Sequence, residues 1–97
     1  MGDVGSRTTL NAMAGVGGWK ILTDADSPYS IDSLVIGART TDSGVLVSGK
    51  QISDNTEVDS PFTDVELNSS GQFDPLWSRE TVITVPTDAT VKVFLGD

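Results

Sequence analysis

The chain has 97 residues, the size of one small domain, and only 37% of them are hydrophobic and 6% aromatic. Fourteen acidic against six basic residues give a formal net charge of −8, and no run of Lys or Arg occurs, which argues against binding to nucleic acid or to anionic membranes. The chain has no cysteine and no histidine, so disulfides, thiolate metal sites and the usual general base near neutral pH are excluded. A core this small, without a covalent link, favours association with copies of itself or with a larger body.

Residues 1–18 are predicted to form an extended N-terminal arm ahead of a single domain over residues 19–97. The arm contains five glycines, and Leu10, Met13 and Val16 are among its few sizeable apolar side chains. Two interpretations stay open, a disordered tail or an arm that orders only on a neighbouring subunit. The segment lacks the basic stretch and apolar run of an export signal, which together with the missing cysteines favours synthesis in a reducing cytoplasm.

Three short strands are predicted in the first half of the domain, each a run of β-type residues bounded by Gly, Pro, Asp or Ser. They cover residues 19–23, 31–38 and 45–47. The second strand holds three large aliphatic residues in succession from Leu34, which is typical of a strand buried on both faces. The third is predicted to return beside it after a turn rich in Thr, Asp and Ser.

The middle of the chain is predicted to be less regular. Ile52 starts a short strand at best, and residues 54–61 are predicted to be a loop. Residues 62–67 alternate in polarity, with Phe62 grouped with Asp64 and Glu66 on one face, so they predict a strand with one wet face. A turn over residues 68–71 and an aromatic link over residues 73–77 follow.

The strongest strand signal lies near the C-terminus, in residues 81–85 and 90–95. In the first run Thr81, Ile83 and Val85 share a face, and in the second run every other residue from Val91 to Leu95 is aliphatic. The four residues between the runs begin with a proline and contain an aspartate, which suits a turn. The two runs are therefore predicted to pair as a hairpin.

Short strands at spacings of roughly eight to twelve residues predict an all-β protein. The expected architecture is a small antiparallel sandwich or jelly-roll-like barrel of about six to eight strands with the N-terminal arm attached. A two-stranded hairpin is marginal alone, so the other strands are expected to cover its apolar face.

No catalytic residue and no cofactor is predicted, so the protein is not expected to be an enzyme. Asp64 with Glu66 is one of many possible carboxylate pairs, and a sandwich of this size has little room for a cleft that holds a sugar between two carboxyls. Residues 54–59 supply several oxygen ligands suited to calcium but lack the glycine and terminal glutamate of an EF-hand loop. A solvated loop is the preferred interpretation, and no metal site is assigned.

Several aromatic residues lie near predicted loops or strand ends, including Trp19, Tyr29 and Trp77. They either pack in the core or anchor a contact with a partner, since exposed aromatics dominate many binding surfaces. With the apolar residues of the arm they make up the predicted partner-binding set, which is Leu10, Met13, Val16, Trp19, Tyr29 and Trp77.

Three features of the chain carry a resemblance to a known kind of protein. They are the glycine-rich arm over residues 1–18, the Thr-, Ser-, Asp- and Val-rich strands such as residues 44–49, and the closing residues 80–95. A short, acidic, cysteine-free all-β chain of this kind resembles the small capsid decoration, or cement, proteins of tailed bacteriophages. The resemblance implies a non-enzymatic virion protein, made in the host cytoplasm, that binds the major capsid protein on the outside of the head. It also implies a homotrimer that strengthens the shell and uses its arm to reach a neighbour.

A second function stays open, that of a carbohydrate-binding or adhesion module. In that case Trp19, Tyr29 or Trp77 would stack on a sugar ring, and the acidic loop would hold calcium. Saturable binding to a glycan would distinguish this function from capsid decoration.

Overall fold

The structure is a computed structural model that describes residues 8–10, 19–67 and 76–96. Within these residues the chain is almost entirely β, with a three-residue 3₁₀ turn over Asp24–Asp26. The strands are β1 (Thr8–Leu10), β2 (Lys20–Thr23), β3 (Tyr29–Ile31), β4 (Leu34–Arg39), β5 (Leu46–Gly49), β6 (Ile52–Ser53), β7 (Thr56–Glu57), β8 (Phe62–Glu66), β9 (Thr81–Thr84) and β10 (Thr90–Gly96). The predicted all-β fold is confirmed, with more and shorter strands than expected.

The strands form two main sheets and a small ribbon. The five-stranded sheet has the order β1-β3-β9-β5-β8, the three-stranded sheet has the order β2-β10-β4, and β6 pairs with β7. Neighbouring strands are antiparallel except β1 and β3, which are parallel. Apolar side chains from both main sheets meet in one core cluster, so the architecture is a small β-sandwich.

The predicted C-terminal hairpin is wrong, because β9 and β10 belong to different sheets. β9 lies between β3 and β5, whereas β10 lies between β2 and β4. The residues between them are held by the loop after β2: the Val85 N–H donates to Ser27 Oγ (2.8 Å) and the Asp88 N–H to Asp24 Oδ2 (2.7 Å). The connection therefore crosses from one layer to the other instead of closing a tight turn.

The connections from β2 to β3, from β3 to β4 and from β4 to β5 also cross between the layers. The predicted strand over residues 31–38 is divided into β3 and β4, which lie in opposite sheets, and the predicted return strand becomes β5, which pairs with β8 and β9 rather than with β4. The alternation of the strands is nevertheless confirmed, because Ile83, Val91 and Val93 are all at most 1% exposed. Alternation identifies the buried face of a strand, and it does not identify the hydrogen-bonding neighbour.

The predicted loop over residues 54–61 contains part of a hairpin. Asp54 and Asn55 connect β6 to β7 with φ angles of 53° and 64°, the two left-handed residues that a type I′ turn requires. Asn and Asp are the non-glycine residues that tolerate this conformation best. The sequence signal was therefore present, but strands of two residues are too short to show a period.

A β-bulge changes which residues of β8 share a face. Phe62 lies opposite Gly49 and Val65 opposite Val47, so β8 holds one residue more than β5 over this span, and Asp64 takes a φ of 50°. Phe62, Val65 and Leu67 consequently face the core side together. The predicted grouping of Phe62 with Asp64 and Glu66 is wrong because a bulge reverses the alternation.

Candidate interaction surface

The outer face of the three-stranded sheet carries an exposed group of apolar and basic side chains. The strand register places Lys92 of β10 between Ile21 of β2 and Arg39 of β4. Beside them the ring of Trp19 meets that of Phe94 edge to face, with centroids 5.5 Å apart and an interplanar angle of 87°. We call these five residues the cationic sheet face.

The alternation of β10 creates this surface. Val91, Val93 and Leu95 point into the core, so Lys92 and Phe94 must point away from it. Phe94 lies opposite Gly37, which has no side chain to compete for the space over the sheet. An edge-to-face aromatic pair contributes about 0.5–1.5 kcal/mol beyond the apolar area that it buries. Trp19 is thereby held in place just before β2 begins.

The charge of this sheet is opposite to that of the whole chain. β2, β4 and β10 contain Lys20, Arg39 and Lys92 and no acidic residue, although the chain as a whole has a net charge of −8. In the part of the chain that the structure describes, no carboxylate forms an ion pair with Lys92. At the start of β10, Asp42 Oδ2 accepts the Thr90 N–H (2.9 Å). The cationic sheet face is therefore a local basic area on an acidic protein.

The same surface is also apolar and shallow. Ile21 is 64% exposed and Trp19 is 36% exposed. A depression of about 240 Å³ is lined by Trp19, Ile21, Arg39 and Lys92. Exposed aliphatic and aromatic side chains next to cations make up a surface suited to binding.

A second depression lies beside β8, the edge strand of the five-stranded sheet. It has a volume of about 230 Å³ and is lined mainly by apolar side chains, which are Val47, Phe62, Val65, Leu67 and Trp77, together with Gln51 and Glu66. Among the residues that line it, the rings of Phe62 and Trp77 lie 5.7 Å apart. Val65 is 46% exposed despite facing the core side, and β8 is the last strand of its sheet among the residues that the structure describes. We call this depression the β8 groove.

The four predicted partner-binding residues that the structure describes do not form one surface. Trp19 is exposed, as a contact residue must be, whereas Tyr29 and Trp77 are each only 4% exposed and belong to the core cluster. The core-packing interpretation therefore describes Tyr29 and Trp77. Leu10 lies in β1 and packs against the core of its own chain, and Met13 and Val16 lie outside the described residues.

The hydroxyl of Tyr29 links the two sheets through hydrogen bonds to the backbone of Thr23. Its hydroxyl donates to the Thr23 carbonyl oxygen (2.9 Å) and accepts the Thr23 N–H (3.0 Å). Tyr29 lies in the five-stranded sheet and Thr23 in the three-stranded sheet, so these bonds join the two layers across the loop between them.

Sequence reasoning did not identify Ile21, Arg39, Lys92 and Phe94. Period-2 alternation places Lys92 and Phe94 on the face opposite the aliphatic residues of β10, so their outward direction could be found from the sequence. Their meeting with Ile21 and Arg39 could not, because it depends on β2 and β4 flanking β10.

Acidic residues do not converge on a metal site among the residues that the structure describes. Asp54 and Asn55 form the β6–β7 turn, and the Glu57 carboxylate lies 4.0 Å from Lys50 Nζ. The calcium interpretation of residues 54–59 thus receives no geometric support. Nor do the described residues include any helix long and apolar enough to cross a membrane.

Comparison with protein-family models, with curated proteins and with solved structures gave no match to this chain. The function is therefore argued from its residues and their arrangement.

Proposed function

We propose that the protein is a non-enzymatic structural protein of a virion, which decorates and stabilises a phage capsid by binding the outer shell surface as a homo-oligomer. The observation that carries the proposal is the cationic sheet face, a sheet surface with exposed apolar side chains and a charge opposite to that of the molecule. Such a surface fits the apolar and electrostatic requirements of a protein contact.

The small β-sandwich supports the same role. The chain is acidic, has no cysteine and has no histidine, and its described carboxylates do not converge on one point. A protein of this size gains stability from each neighbour that covers exposed apolar area, because binding to the folded state alone lowers its free energy. The resemblance to decoration proteins adds the expected homotrimer and the major capsid protein as the outer partner.

A carbohydrate-binding module is the second candidate, and one observation favours it. Trp19 is partly exposed beside Arg39 and Lys92, which could donate hydrogen bonds to sugar hydroxyls. Tyr29 and Trp77 are buried, so Trp19 is the stacking residue that remains from the three predicted ones.

Two measurements test the capsid proposal. An antibody raised against the purified protein should label the heads of virus particles from the source culture in electron micrographs. Sedimentation velocity should show a species larger than one chain at micromolar concentration. Particles without label, or a strictly monomeric protein at every concentration, would contradict the proposal, and saturable binding on a glycan array that Trp19→Ala removes would favour the carbohydrate function.

A further inference from the structure

We infer that the cationic sheet face of one copy binds the β8 groove of a second copy, so that the oligomer is built from head-to-tail contacts. This inference rests on the proposed homo-oligomer and names the two surfaces that form it. Neither surface is assigned by the resemblance to decoration proteins.

Net charge limits how two copies can meet. Two chains of −8 repel each other, so a stable self-contact must bring basic groups of one copy to acidic groups of the other. β2, β4 and β10 carry basic residues and no acidic ones, whereas the charged residue among those that line the β8 groove is Glu66. The two surfaces are thus oppositely charged.

Symmetric pairing of like surfaces is disfavoured by the same charges. Two cationic sheet faces would bring Arg39 and Lys92 of both copies into one interface without a carboxylate from the three strands. Two β8 grooves would bring together the Glu66 carboxylates of both copies. Because like charges placed opposite each other cost binding energy, the head-to-tail contact is the favoured one.

The carboxylates of β8 are held in place before any contact. Glu66 Oε2 accepts the Gly44 N–H (2.8 Å), and Asp64 Oδ1 accepts the Ser48 hydroxyl (3.4 Å) while the Asp64 N–H donates back to Ser48 Oγ (2.9 Å). The bond from Gly44 uses one oxygen of Glu66, so the second oxygen of this groove carboxylate can accept from a lysine or arginine of a neighbour. Acceptors that are already fixed lower the entropic cost of ordering side chains on binding.

Apolar area accompanies the charges on both surfaces. Ile21 and Trp19 are 64% and 36% exposed on the cationic sheet face, and Val65 is 46% exposed at the β8 groove. Phe62, Leu67 and Trp77 also line the groove. An apolar side chain entering this groove would remove exposed apolar area on both copies, which is the main favourable term in association.

In a head-to-tail assembly each copy contributes its cationic sheet face to one contact and its β8 groove to another. Such contacts form a closed ring when the rotation between copies completes a circle, and an open filament when it does not. A ring of three copies would satisfy the proposed homotrimer.

The test exchanges the charges one at a time and then together. Lys92→Glu and Glu66→Lys are measured by sedimentation velocity as single variants, as an equimolar mixture and as a double variant. Lys50→Glu and Glu57→Lys make the same changes in charge at an ion pair outside the cationic sheet face and the β8 groove, and they serve as matched controls. Circular dichroism melts confirm that each variant is folded.

We expect each single exchange at the proposed contact to weaken association by about tenfold or more, and the controls to change it less than about threefold. The double variant should recover association, because it restores opposite charges at every contact. The mixture should recover it only in part in a ring of three, where one of the three contacts joins two copies of the same variant and so keeps like charges. Raising NaCl from about 50 mM to about 500 mM should weaken the wild-type oligomer. An oligomer insensitive to both exchanges at the proposed contact would overturn this inference and leave the proposed function standing, whereas a monomeric wild type would overturn both.

Discussion

Replacing Tyr29 by phenylalanine tests whether this residue joins the two sheets or contacts a partner. The substitution removes one hydroxyl and leaves the buried ring in place, so it removes the two bonds to Thr23 and leaves a backbone N–H and C=O without their partner. A hydrogen bond contributes about 1 kcal/mol net, and partly buried groups left without a partner cost about 1–3 kcal/mol. We expect the free energy of unfolding to fall by about 1–3 kcal/mol, which lowers Tm by about 5–20 °C for a domain of this size.

Differential scanning calorimetry measures this change, with Thr84→Val as the control. Thr84→Val also removes one hydroxyl, at an exposed position of β9, and should change the free energy of unfolding by less than about 0.5 kcal/mol. Association measured well below Tm should be unchanged in Tyr29→Phe, since the residue is 4% exposed. A variant with unchanged Tm and weakened association would refute this reasoning and return Tyr29 to the partner-binding set.

Three further changes test the fold around the proposed surfaces. Gly49→Ala should lower the free energy of unfolding in urea by about 1–3 kcal/mol, because the new Cβ would lie 2.7 Å from Thr81 Oγ1 and 3.3 Å from Thr81 Cα. The control Gly96→Ala places its Cβ at an ordinary 3.4 Å from Ile36 and should lower it by less than about 0.5 kcal/mol. Equal effects of the two substitutions would argue against tight packing at Gly49. Asn55→Val should speed amide exchange in β6 and β7 by about fivefold, since a β-branched residue resists a φ of 64°, and Asn55→Gly should not. A chelator should leave the thermal midpoint unchanged, and a lower midpoint would show a bound cation that the described carboxylates do not account for.

The sequence correctly predicted which side chains of the strands are buried, but not which strands pair with each other. Val91, Val93 and Leu95 were predicted on one face and are all buried, and Thr81, Ile83 and Val85 behave in the same way. The hairpin drawn from these two runs was wrong, because a polar connection with a proline suits a crossing between layers as well as a turn between neighbours. The loop contacts that hold this connection come from Ser27 and Asp24, about sixty residues away in sequence.

For the candidate surface too, the sequence predicts which side chains are exposed but not which residues lie next to each other. Exposure of Lys92 follows from its place between two buried valines, whereas its position between Ile21 and Arg39 follows from strand order. Trp19, Tyr29 and Trp77 are equally aromatic and equally close to strand ends, and only packing makes the first exposed and the other two buried. The bulge at Asp64 is a similar case, since one extra residue brings Phe62 and Val65 to the same side.

The amino-acid sequence by itself determined an all-β chain, the inward face of its longest strands, and a chemistry without thiol or imidazole, because these depend on residue type and on the period of neighbouring residues. Only the tertiary structure decided which strands are neighbours, where a basic sheet face occurs on an acidic protein, and which aromatic side chains reach the surface. Backbone hydrogen bonds between strands are the same for every sequence, so the choice of partner depends on packing contacts between distant segments.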